Sequence, residues 1–232
     1  MNYRVAALLP MKANSERVKG KNFKDFCGKP LFRWVLDTLL SVPEISCVVI
    51  NTDAREILKD HGLEDGDRVK IRDRRVEICG DLVSMNEVIK DDLANIDADI
   101  FLMTHTTNPL LNKKSIMSAL DIFKESLNEK KHDSLFSVNQ IQERFYTPDA
   151  KPINHDPNNL TRTQDLEPWY QENSNLYLFT KHSFAATGAR IGRFPRMFVT
   201  EPFESTDIDT PEDWAFAESV VNFYLEKGTI NR

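Results

Sequence analysis

Cysteine is scarce in this chain, three in 232 residues. Cys27, Cys47 and Cys79 are odd in number and lack metal-ligand spacing. That argues against a disulfide framework or a structural metal and predicts reduced thiols in a cytoplasmic protein. No stretch approaches the ~20 apolar residues of a membrane span. The nearest, "LFRWVLDTLL", is broken by Arg33 and Asp37. The amino end opens into a strand-like run without a signal-peptide pattern, which again predicts a cytoplasmic location. Positive charge is not in excess: 30 Lys and Arg stand against 36 Asp and Glu, a net −6 that argues against general nucleic-acid binding. Internal repeats and low-complexity tracts are missing, and so is the P-loop pattern G-x-x-x-x-G-K-[ST]. What is left is the composition of an ordinary soluble globular protein, 41% hydrophobic and 28% charged. Its length suits one large α/β domain or two small ones.

Against the acidic background one segment is basic. Lys12, Arg17, Lys19, Lys21 and Lys24 fall within thirteen positions, and only Glu16 opposes them. The segment follows a strand-like run, so backbone N–H groups and cationic side chains can face one ligand. Lysine as a point charge and arginine as a fork both suit a polyphosphate. A solvated charged loop has the same composition, and charge alone does not choose between the two.

Apolar runs of strand length alternate with helical patterns. "RVAALLP", "SCVVINTD", "RVKIRD", "DIFLMTH" and "DSLFSVN" read as strands. "PLFRWVLDTLL", "AREILKDHG", "SMNEVIKDDLANI" and "KKSIMSALDIFKESL" read as helices between them. Asp53 is expected to cap the second helix and Gly62 to stop it, and Ser84 with Glu87 to cap the third. "NSNLYLFTK" and "RMFVTE" read as late strands, and "TPEDWAFAESVVNFYLEK" as a closing helix with Pro211 in its first turn. The alternation predicts an α/β fold, a mostly parallel sheet with helices on both faces. Ligands in such sheets bind beyond the C-terminal strand ends, where the basic loop, "NTD" and "THTTNPL" all fall. Residues 143–171, rich in Pro, Asn and Asp, break the pattern and predict an arm inserted into a core of residues 1–142 and 172–232.

Spacing inside the basic loop adds a family. "PMKANSERVKGKN", with Lys12, Ser15, Lys21 and Asn22 in place, resembles the signature loop of the acylneuraminate (CMP-sialic acid synthetase-like) cytidylyltransferases, which wraps CTP. "GKPLFRW", "VVINTD", "RRVEICGD", "THTTNPLL", "RTQDL" and "ESTDIDTPEDW" resemble further family segments, in the family's order. The departures are Lys12 for Arg, Ala13 for Gly, Asn51 for Ser, Arg75 for Pro and His105 for Gln.

The resemblance implies a Rossmann-like core with a dimerisation arm, a homodimer and Mg²⁺. It implies CTP and an anionic nine-carbon sugar acid as substrates, with no nucleic acid or membrane as partner. Lys12, Ser15, Lys21, Asn22, Arg74 and Ser84 become candidate nucleotide contacts, with Ser84 equally readable as a plain helix cap. His105, Arg162 and Gln164 become candidate acceptor contacts. Asp207 and Asp209, two apart in an extended stretch, point the same way and repel unless a cation such as Mg²⁺ binds. Lys12, Lys21 and Asp209 are the expected catalytic residues. The expected reaction moves CMP from CTP to a nonulosonic acid and releases pyrophosphate. A KDO (3-deoxy-octulosonate) cytidylyltransferase and a nucleotide-binding regulator with a degraded site remain the alternatives.

Overall fold

Alternate residues of the central strands enter two different apolar cores, which is why these strands read as unbroken hydrophobic runs. In the computed structural model, which describes residues 3–229, the first strand is β1 (Val5–Leu8). Its Val5 and Ala7 face one core, and Ala6 and Leu8 face the other. A short hairpin follows, β2 (Asp25–Phe26) and β3 (Lys29–Pro30), then α1 (Leu31–Ser41) and β4 (Ile45–Thr52). Next come α2 (Arg55–Asp60), β5 (Val69–Asp73), α3 (Met85–Asn95), β6 (Ile100–Thr104) and α4 (Lys113–Asn128). The chain ends with β7 (Ser134–Ile141), β8 (Trp169–Phe179), α5 (Lys181–Thr187), β9 (Pro195–Val199) and α6 (Pro211–Glu226).

Seven strands form one sheet in the order β5-β4-β1-β6-β8-β7-β9. β5, β4, β1 and β6 run parallel, and β8 is antiparallel to both of its neighbours. Helices α1 and α4 cover one face, through Phe32, Leu36, Ile116 and Phe123. Helices α3 and α5 cover the other, through Ile89, Leu93 and Phe184. The mostly parallel sheet with helices on both faces is therefore as expected.

A third apolar cluster is built from residues outside the sheet's central strands. Val18 of the basic loop packs there with Phe26, Leu31 and Trp34, and with Ile208, Trp214 and Val221 from the carboxyl-terminal part. Phe26 meets Trp214 edge to face at 5.2 Å, and the Trp34 indole N–H donates to the Phe26 carbonyl at 2.9 Å. This cluster fastens the loop after β1 to the segment before α6.

Three expectations need correction. Asp53 does not cap α2: Ala54 occupies that position, and the Asp53 carboxylate accepts the Ala13 N–H at 2.7 Å. The strand after the arm begins earlier than read, since Trp169 already pairs with Ile141, so residues 169–171 belong to the sheet. Helix α5 and the β2–β3 hairpin were not expected; both are short. Ser84 does cap α3, accepting the Asn86 N–H.

Candidate functional site

The C-terminal ends of β1, β4, β5 and β6 lie at one end of the sheet, and the segments that follow β1, β5 and β6 open on a cavity of about 450 Å³. The basic loop supplies Lys12, Ser15, Lys21 and Asn22 to its wall. Arg74, His105, Asp207 and Asp209 line the rest. Residues far apart in sequence thus converge as the motif order implied.

The loop is held before any ligand arrives. Met11 donates to the Asn51 carbonyl at 3.2 Å, extending the strand pairing past β1. Asn22 is buried and works as a strut: its Nδ2 donates to the Lys12 carbonyl at 2.8 Å, and its Oδ1 accepts from the Thr106 hydroxyl at 2.7 Å. Lys21 is buried too, with its Nζ donating to the Ile208 carbonyl at 2.5 Å and to Asp209 Oδ1 at 3.2 Å. Arg17 takes the other Asp209 oxygen at 3.0 Å. Lys12 reaches across the mouth to pair with Asp81, whose carboxyl is held below its usual range by that contact.

The acidic pair sits on a backbone pinned from both sides. The Ile208 N–H donates to the Thr107 carbonyl at 3.0 Å, and the Asp209 N–H donates to Asp213 Oδ2 at 3.1 Å. Asp207 opens to the cavity, yet the surrounding walls remove enough water to push its carboxyl up. The Asp209 charge adds to that rise, while a hydrogen bond from Thr107 opposes it. Two carboxylates so placed, one of them resisting ionisation, form an oxygen set that a hard cation would relieve.

His105, partly buried just beyond β6, has its imidazole held down to about 4, by burial first and by the Arg190 charge second. It is therefore neutral near pH 7 and offers one N–H and one acceptor to the cavity. Unfolded histidine protonates near 6.5, so between about pH 4 and 6.5 the unfolded chain binds a proton that the folded chain refuses. This residue therefore makes the fold less stable as pH falls through that window. His105→Gln is expected to lose stability less steeply than the parent on acidification from pH 6.5 to 4, read as the urea midpoint at each pH.

Three expected site residues lie elsewhere. Ser84 is committed to its helix, although Val83 and Met85 on either side line the cavity. Arg162 forms a two-point pair with Asp165 at 2.6 and 3.0 Å in the arm, and the Gln164 carbonyl accepts from Gln142. Neither residue lines the cavity of its own chain. Sequence reading in turn missed Arg17 as an Asp209 partner, Asp81, Thr107 and Ser174. Arg17 was visible in the basic cluster, but the family pattern gave it no role. Ser174 was hidden by its strand, where a left-handed φ of 56° breaks the register and lets it line the cavity.

The family model for cytidylyltransferases matches residues 6–228. N-acylneuraminate cytidylyltransferase A of Danio rerio is 27% identical over 225 residues, covering 94% of this chain and 50% of that one. The chain thus spans about half the length of that relative. CMP-N,N'-diacetyllegionaminic acid synthase of Legionella pneumophila is 28% identical over 243 residues, covering 96% of this chain and 98% of that one. Among solved structures, 4-diphosphocytidyl-2C-methyl-D-erythritol synthase from Anaerococcus prevotii superposes with a TM-score of 0.66 at 13% identity, over 95% of this chain and 97% of that one. The fold is the same.

Proposed function

The chain belongs to the cytidylyltransferase family, a family of nucleotidyltransferases, and on that premise we propose that it transfers CMP from CTP to the anomeric hydroxyl of a sialic-type nonulosonic acid. Pyrophosphate is the second product. The observation that carries the reading is the meeting of the basic loop and the acidic pair across one cavity, Lys21 Nζ lying 3.2 Å from Asp209 Oδ1. The names of the Danio and Legionella relatives point to the acceptor class.

In this reading the triphosphate lies along the basic loop. Lys21, shielded from water, acts there through a low-dielectric medium and counts for more than a surface lysine. Lys12 and Arg17 are released from Asp81 and Asp209 to meet the phosphates. Asn22 keeps the loop in shape, so little reorganisation is needed when charge builds on the departing pyrophosphate. Neutral His105 and Ser174 form a hydrogen-bonding wall for the acceptor. Asp207 and Asp209 would hold Mg²⁺, which supplies Lewis-acid stabilisation of phosphate charge and lowers the pKa of the acceptor hydroxyl. Among the described residues no cluster of three or more His, Cys, Asp or Glu side chains is placed to hold a metal. The two carboxylates therefore suit an ion completed by phosphate oxygens and water, as Mg²⁺ usually is. Catalysis is then mostly positioning and electrostatics.

The deciding assay is pyrophosphate release with CTP, Mg²⁺ and a panel of sialic, legionaminic, pseudaminic and KDO acids. Release with a nonulosonic acid is expected. Release with KDO alone would move the chain to the KDO enzymes. CTP binding with no turnover on any acid would make it a nucleotide-binding regulator.

Lys12 must leave Asp81 to reach a phosphate, so the two compete. Asp81→Asn is expected to lower KM for CTP by about threefold, the scale of an exposed ion pair, without changing kcat.

The arm is read as a dimerisation element. Tyr146, Ile153, Leu160, Trp169 and Tyr170 are exposed along it and along the start of β8. In a homodimer Arg162 and Gln164 would reach the acceptor end of the partner's cavity. A Leu160→Asp, Trp169→Asp double variant is expected to sediment as a monomer. It should keep its CTP affinity and lose acceptor turnover, as measured by ultracentrifugation, calorimetric titration and the release assay.

A further inference from the structure

Three arginines lie at the end of β5 and just beyond it, and of these Arg74 alone lines the cavity. Arg72 pairs with Asp91 Oδ2 at 2.9 Å and also with Asp92. Arg75 Nε pairs with Asp91 Oδ1 at 3.1 Å. Arg74 lines the cavity and is almost wholly buried, and among the described residues it has no direct carboxylate partner within ion-pair distance. Its acceptors are neutral. Asn51 Oδ1 takes its Nε at 3.0 Å, and the Asn51 and Met11 carbonyls take its Nη2 at 2.7 and 3.2 Å.

Asn51 stands between Arg74 and the buried acid pair. It is fully buried at the end of β4, and its Nδ2 donates to Asp92 Oδ1 at 2.8 Å and to Asp91 Oδ2 at 3.3 Å. The orientation of this amide is fixed by chemistry. Turned over, it would set Nδ2 against a guanidinium and Oδ1 against two carboxylates. A serine reaches only one side of this gap. An aspartate would contact Arg74 and cancel its charge. Asparagine alone of the three joins both sides and stays neutral. It occupies the Nε edge of the guanidinium and leaves Nη1 for a ligand.

We propose that Asn51 is a positioning residue for Arg74: it holds the guanidinium at the cavity wall, aimed and without a direct carboxylate contact, so that Arg74 can bind CTP. The proposal rests on the reading of the cavity as a CTP site and adds how that site keeps a buried cation available. Burial already disfavours the charged form of Arg74, and the Asp53 charge first, with those of Cys79 and Asp92, offsets this from a distance rather than by contact.

The test is calorimetric titration with CTP, with initial rates alongside, on the full chain and on Asn51→Ser, Asn51→Asp, Arg74→Lys and the Asn51→Ser/Arg74→Lys double variant. Asn51→Ser is expected to raise Kd and KM for CTP about tenfold and to leave kcat within about threefold. In the Arg74→Lys background the same change should add less than about twofold, because its route to the ligand is gone. Asn51→Asp is nearly isosteric, pairs directly with Arg74 and faces Asp91 and Asp92, whose charges Arg72 and Arg75 already hold, so it guards against a serine variant that fails to fold. It should fold, by near-ultraviolet circular dichroism, and still lose about tenfold in CTP affinity. Parent-like CTP affinity in a folded Asn51→Asp, or an equal effect of Asn51→Ser in both backgrounds, overturns the proposal while leaving the CTP site intact. A parent chain that does not bind CTP removes both the reading of the cavity and this proposal.

Discussion

Asp209→Asn is expected to lower kcat for pyrophosphate release by about three orders of magnitude, near the upper end for a lost charge-stabilising group. The carboxylate has two duties in turn. Before ligand binds it gives one oxygen to Lys21 and one to Arg17, and in the proposed reaction it would form the oxygen set for the cation with Asp207. The amide keeps the size and loses the charge. Its folding cost is expected to be small, because the Asp209 side chain is 41% exposed, its pair with Arg17 is exposed, and Lys21 keeps the Ile208 carbonyl and an amide oxygen as acceptors. The backbone here is held by the Ile208–Thr107 bond and by Asp213, neither of which the change touches. The variant should therefore melt close to the parent and still bind CTP in the absence of Mg²⁺. Near-normal kcat in this protein would remove Asp209 from the chemistry.

Lys21→Met is the second large effect. The Lys21 side chain is only 10% exposed, and its ammonium bonds the Ile208 carbonyl and Asp209. Methionine fills the space and supplies neither charge nor donor. A loss of about 100-fold or more in kcat/KM for CTP is expected, the scale of one preorganised donor removed from a transition state. Lys21→Arg should rescue poorly, since the planar fork does not fit a slot shaped around a single ammonium. Good rescue by arginine would mean that charge alone matters here and that the Ile208 contact does not.

Much of the fold was legible because the central strands are buried on both sides. Val5–Leu8 and Ile100–Met103 had to be unbroken apolar runs, and they were. The arm carried no such signal, and the start of β8 was missed because Trp169 to Gln171 pair at an exposed edge without a buried stripe. At the site, the basic loop and the acidic pair were readable from spacing. Their partners were not. Asp53 looks like a helix cap until the Ala13 N–H, 40 residues away, takes its oxygen. Asp81 looks like a loop acid until Lys12, 69 residues away, reaches it. Asn51 reads as a departure from a motif, and only the register of β4 beside β5 places it against Arg74. Contacts of this kind depend on which strands lie side by side, which a single chain's residue order does not state.

The two sides of the cavity come from opposite ends of this chain: Lys21 and Ile208 are separated by 187 positions. During synthesis the amino-terminal half can pair its early strands as they emerge, but the basic loop has no Val18–Trp214 anchorage until α6 is complete. Nascent chains released before that helix would carry most of the sheet without this anchorage, so the mouth of the cavity depends on a contact that forms only once α6 has emerged.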